Sequence, residues 1–275
     1  MQRLKNKINE LSASAAMNNS FEWKSTKQLS LIGLLASVFI PSFLAFLSFH
    51  FVLPILHERD VPTLIGWPLV ASIGLLIFSL YAIFRLYFES KELNISLLDR
   101  MCIHRISIRI WLICFAILVI GLVAIAGLQE LNKFLIQFFN FKIPIYMPFF
   151  LDPNIDSRFA SMQEISPGYN IQGNSMILLL MAVTLLLNII TEELYFRAWL
   201  LPKMERYGKL SWVFNAFLFA LYHTFQIWLL PIILAASLVF AYIFYFSKSI
   251  WPSLVFHLIM NFLISMIGIT SLVFP

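Results

Sequence analysis

Charge is what this sequence has least of. Only 12% of its 275 residues are Asp, Glu, Lys or Arg, against 60% hydrophobic. A soluble domain carries about 25% charged residues, so a soluble fold is excluded. Cysteine is nearly absent. Cys102 and Cys114 lie near the start of one apolar stretch, about 18 Å apart along a helix axis, which is too far for a disulfide. After Arg3, Lys5 and Lys7 the chain is polar (Ser12, Asn18, Asn19, Ser20) where a leader would place its apolar core, so no cleaved signal peptide is expected. Two catalytic signatures are also missing. The run His57-Glu58-Arg59-Asp60-Val61 lacks the second histidine of H-E-x-x-H, and no G-x-S-x-G nucleophile motif occurs. Internal repeats and low-complexity tracts are absent as well.

What the sequence does have is long apolar runs. A bilayer-spanning helix needs about 20 mostly apolar residues. Seven stretches qualify, roughly Leu31 to Ile55, Thr63 to Phe84, Ile110 to Leu128, Met176 to Leu201, Leu210 to Trp228, Leu229 to Phe246 and Ile250 to Val273. The fifth and sixth are divided as a hairpin because a single helix from Trp212 to Phe246 would be about 52 Å long, beyond a ~30 Å hydrocarbon core. Pro231 then marks the start of the returning helix. The fold class is all-α: a polytopic membrane helix bundle of about seven spans.

The net charge of +5 and pI near 9.2 reflect orientation rather than nucleic-acid binding, because the basic residues lie between apolar spans. Lys and Arg concentrate in cytoplasmic segments. Residues 1–30 carry five, Arg85 to Arg109 five and Lys203 to Lys209 three, whereas the other side holds only Arg59, Lys133, Lys142 and Arg158. The N-terminus is therefore expected in the cytoplasm and the C-terminus opposite; in a bacterium the membrane would be the plasma membrane. The chain divides into a cytoplasmic segment (1–30), three membrane helices (31–128), a non-cytoplasmic segment (129–173) and a C-terminal helical core (174–275). The first part of the non-cytoplasmic segment, LNKFLIQFFNFKIPIYMPFF, mixes phenylalanines with Asn132, Lys133, Gln137 and Lys142. It reads as an interfacial helix, with a re-entrant segment or an eighth span as alternatives.

Polar groups at depth mark the candidate site. In TEELYFR, Thr191 to Arg197, two carboxylates and an arginine interrupt an oily run, where each charge costs at least ~2.5 to 3.5 kcal/mol on insertion scales. Glu193 and Arg197, Phe219 and His223, and His257 and Asn261 each stand four apart, on one helix face. Counted from the cytoplasmic ends at 1.5 Å per residue, Glu192 and His223 lie about 16 Å deep, His257 about 14 Å and Asn261 about 20 Å. One buried site is the economical reading.

Structural readings stand beside it. Glu193 and Arg197 could form a self-neutralising ion pair, His223 a satisfied core histidine, and His257 with Asn261 interhelical polar glue. None of these accounts for Glu192. As chemistry, a desolvated Glu192 suits a general base and His223 a proton shuttle, while His257 and Asn261 suit an oxyanion. Alternatively Glu192, His223 and His257 could ligate zinc, whose catalytic sites take three protein ligands plus water. The rivals to an enzyme are a proton-coupled transporter using the same groups as a relay and a non-catalytic immunity scaffold.

The three motifs Glu192-Glu193-x-x-x-Arg197, Phe219-x-x-x-His223 and His257-x-x-x-Asn261 together resemble those of the CAAX-protease and bacteriocin-processing (CPBP/Abi) intramembrane proteases, which include the type II CAAX prenyl endopeptidases. The likeness covers Met176 to Ile264. It implies a four-helix catalytic core and an endopeptidase in which Glu192 and His223 activate water. Glu193 and Arg197 would support the site, and His257 with Asn261 would hold the oxyanion. It also implies a peptide or protein substrate, prenylated or not, reached from the cytoplasm, and membrane lipid as a partner. The family is treated both as zinc-dependent and as metal-free, so the cofactor stays open between the two; no other cofactor is expected.

Overall fold

The computed structural model describes residues 21–156 and 159–274, all of whose regular structure is helical. Arg3, Lys5, Lys7 and Arg158, used above for orientation, lie outside the described residues. Five helical runs are long and apolar enough to cross a membrane: Leu31–His57 (α1), Thr63–Glu92 (α2), Ile108–Phe138, Ser175–Ser247 and Ile250–Val273 (α8). The fourth has 73 residues and is not one rod. Its backbone leaves helical geometry at Gly208 (φ 61°, ψ −137°) and at Gln226 (φ −131°, ψ 58°). The first break needs glycine, since a Cβ disfavours positive φ. The breaks separate three α-helices, Ser175–Glu192 (α5), Ser211–Tyr222 (α6) and Leu230–Ser247 (α7), with Pro231 in the first turn of α7. The 210–228 stretch differs from expectation: its α-helix ends at Tyr222, and tighter turns run from His223 to Leu229.

The third run bends at Leu128 into Ile108–Gly127 (α3) and Gln129–Phe138 (α4). Ten residues at 1.5 Å rise reach about 15 Å, half a bilayer, so α4 is not an eighth span. Phe134 and Phe138 are exposed on it while Asn132 and Ile136 are buried, the two-faced pattern of an interfacial helix. Polar caps start several helices: Ser30 for α1, Ser107 for α3, Asn174 for α5 and Ser249 for α8 each accept a first-turn backbone N–H.

Two contacts align the core. Thr184 and Thr191 of α5 pair through their hydroxyls with Ser72 and Ser79 of α2, two rungs seven residues apart. Such interhelical hydroxyl pairs stabilise membrane helices in close contact, and the second rung fixes the residue before Glu192. Elsewhere α3 meets α7 at Gly121, where a Cβ would come within 2.4 Å of Val239.

At one end of the bundle the segments richest in Lys and Arg converge. Glu89 of α2 accepts from Arg100 at 2.6 and 3.0 Å and from Trp199 Nε1 at 2.9 Å, and its other bond is to Lys203 Nζ at 2.6 Å. Arg100 is fully buried and also donates to Ala198 O at 2.6 Å. Leu29 N bonds Lys203 O, and Lys248 Nζ sits 3.3 Å from the Trp23 ring centroid.

Candidate active site

Three helices deliver the motif residues to one place. Glu192 is the last residue of α5 before the winding widens into a π-type stretch, Glu193–Leu200. His223 follows the last α-helical residue of α6, and His257 ends the α-helical part of α8 before a second wide stretch, Leu258–Leu263. Glu192 Oε1 lies 3.3 Å from His223 Nε2, and its Oε2 lies 3.8 Å from His257 Nε2. Asn261 Nδ2 is 2.9 Å from that same His257 Nε2. Glu192, Glu193, Arg197, His223 and His257 are all buried.

Hydrogen-bond logic assigns the ring protons. Phe219 O, 2.9 Å from His223 Nδ1, can only accept, so Nδ1 carries a proton and Nε2 faces Glu192. The Glu193 carboxylate, 3.0 Å from His257 Nδ1, accepts in the same way, and His257 Nε2 is left to accept from Asn261. A chain therefore runs from Glu193 through His257 to Asn261. Among the described residues Glu192 Oε1 has no hydrogen-bond partner.

The i, i+4 pairing of Glu193 with Arg197 does not form as expected. Glu193 takes its hydrogen bond from His257. Arg197 donates to Asn215 Oδ1 and, at 3.2 Å, to Ser237 Oγ, and its guanidinium lies 4.9 Å from the Phe219 ring centroid. Both residues lie in the wide stretch Glu193–Leu200, and each is bonded to a partner on another helix. Asn215 and Ser237 were not singled out from the sequence. Asn215 lies four before Phe219, so the motif's own helix stripe carried that signal. Ser237 had none.

Beside these groups is a cavity of about 800 Å³, lined by Glu192, His223, His257 and Asn261 and otherwise mostly by apolar side chains. Its lining stops short of the basic end. From Ser37 and Tyr81 its lining runs the other way, to Val52, Trp67, Phe150 and Gln226. Ile40 of α1 and Ile77 of α2 line it yet are 63% and 62% exposed, so its mouth is a lateral gap between these helices. The Glu89, Arg100 and Lys203 cluster is not part of this lining.

The zinc set fits this arrangement poorly. His257 Nε2, the nitrogen that faces Glu192, is engaged by Asn261, and among the described residues no three His, Cys, Asp or Glu side chains are placed to hold a metal ion.

Comparison with known proteins gives one likeness. Residues 174–263 match the family model of type II CAAX prenyl endopeptidases, Rce1-like, over a third of the chain and all three motifs. The resemblance read from the motifs is borne out over that stretch, which is similar to a family of membrane proteases. No curated protein and no solved structure matches the chain.

Proposed function

We propose that this protein is an intramembrane endopeptidase that hydrolyses a peptide bond with water activated by Glu192 and His223. The observation that carries the reading is the 3.3 Å approach of Glu192 Oε1 to His223 Nε2, at the wall of an apolar cavity. A carboxylate oxygen without a protein partner has its acceptor capacity free for a water molecule. Glu192 takes a proton from that water as hydroxide adds to the scissile carbonyl, and the proton then passes to the leaving amine, with His223 Nε2 as the shuttle. A positioned general base contributes typically 10²–10⁴-fold.

The developing oxyanion needs a donor fixed in advance. Asn261 supplies it: one amide N–H is held by His257 Nε2, and the second is left for the oxygen. Glu193 sets this arrangement by accepting from His257 Nδ1. Arg197 holds positive charge nearby without entering the reaction. No step is routed through a metal.

The substrate class we propose is a CAAX-type peptide, a C-terminal segment whose lipidated cysteine would bring it to the membrane, taken in through the gap between α1 and α2. The orientation follows the basic residues, with the Glu89, Arg100 and Lys203 end in the cytoplasm. Bacteriocin or small-peptide processing with self-immunity is the alternative use of the same chemistry.

A quenched fluorescent peptide ending in farnesyl-Cys-aliphatic-aliphatic-X, offered to the protein in lipid nanodiscs, tests the class. Cleavage after the cysteine is expected, undiminished by chelators. Substrate-driven proton flux without hydrolysis would contradict the reading.

A further inference from the structure

The turn that carries His223 is held by a helix outside the matched region. α6 stops at Tyr222, and the chain turns tightly until it breaks at Gln226. Such an end leaves carbonyl oxygens without helical partners, and irregular backbone at membrane depth is tolerated where protein groups hold it or where it lines a cavity. Two carbonyls around this turn, Leu221 O, which also accepts from the His223 N–H, and Phe225 O beyond the helix end, are served from α1. Ser42 Oγ donates to Leu221 O at 3.2 Å and lies 3.1 Å from Thr224 Oγ1. His50 Nε2 stands 2.8 Å from Phe225 O.

A carbonyl only accepts, so His50 Nε2 carries the ring proton and Nδ1 accepts from the Tyr146 hydroxyl, 3.1 Å away. Tyr146 thereby fixes the tautomer that the bond to Phe225 requires. The Phe225 ring lies 5.6 Å from the His223 ring and 4.8 Å from Phe49, so anchoring one carbonyl also seats an aromatic wall of the imidazole. His50 reaches this position from a wide turn, Ser48–Val52. At ordinary α-helical pitch it would point about 80° away from Ser42.

We infer that His50 is a positioning residue for His223: its bond to Phe225 O holds the turn that sets His223 against Glu192. Ser42, His50 and Tyr146 all lie outside residues 174–263, so the N-terminal half helps to assemble the site. The kinetic consequence rests on the endopeptidase reading; the holding role does not.

The test uses the full chain in nanodiscs with His50→Ala, His50→Gln and Tyr146→Phe. Glutamine offers an amide N–H near the position of Nε2, and alanine offers none. Hydrogen exchange read by mass spectrometry should rise at least ~10-fold over residues 219–229 in His50→Ala, with α3 unchanged. Glutamine should restore most of the protection, and Tyr146→Phe should lie between. On the farnesylated peptide, kcat should fall about 10²-fold in His50→Ala with KM nearly constant, as expected for a displaced catalytic group, and His50→Gln should recover most of it. Unchanged exchange over 219–229, or equal impairment in the alanine and glutamine variants, would overturn the inference. A wild-type protein that cleaves no peptide would sink the endopeptidase reading alone, and the exchange pattern would then decide this one.

Discussion

Glu192 and His223 face each other at 3.3 Å from places where two different helices change their winding. α5 widens immediately after Glu192, and α6 tightens at His223. His257 repeats the relationship, standing at the last α-helical residue before a wide stretch. Irregular winding of this kind is frequent at functional sites. Within the wide stretch Glu193 and Arg197 take different partners, one His257 and the other Asn215 and Ser237.

Arg197 should therefore depend on Asn215 more than on Glu193. Asn215 accepts from the guanidinium and donates to Phe196 O at 2.8 Å, tying α6 to the wide stretch. Asn215→Leu removes a buried hydrogen bond to a charged group, and a loss of ~1.5–3 kcal/mol is expected. Thermal unfolding in detergent measures it. An unchanged Tm would mean that Arg197 is held by other groups.

Cys102 should be chemically silent in the folded protein. Burial pushes its thiol up to about 12, and only the thiolate reacts, so at pH 8 roughly one thiol in 10⁴ is reactive. The sign is fixed by desolvation of the charged form, the largest influence on the group, against which nearby Arg100 and Lys248 work in the opposite direction. A maleimide should leave Cys102 unmodified until the protein is denatured. Rapid native labelling would place the thiol at the surface and contradict the packing of the basic end.

The helix positions were legible because apolar runs of spanning length, interrupted by the charged Lys203 to Lys209 segment and by Pro231, leave few ways to lay the chain across a bilayer. Glu192, His223, His257 and Asn261 could be grouped because equal depth is a geometric constraint that survives modest errors in helix ends. The partners of Arg197 could not, since Asn215 and Ser237 lie on other helices and spacing within one helix says nothing of them. Ser79 against Thr191, and His50 against Phe225, join residues far apart in sequence. No periodicity announces such pairs. The extent of the cavity was also hidden, because it depends on the gap between α1 and α2.

The central claim is that Glu192 activates water for peptide hydrolysis. Its most direct test compares the processed peptides of cells carrying the wild-type protein with those of cells carrying Glu192→Gln, a variant of nearly the same shape without the base. At equal membrane levels of the two proteins, the account predicts at least one peptide whose processed form disappears with Glu192→Gln. Identical processing in both, with the variant folded and present in the membrane, would contradict it.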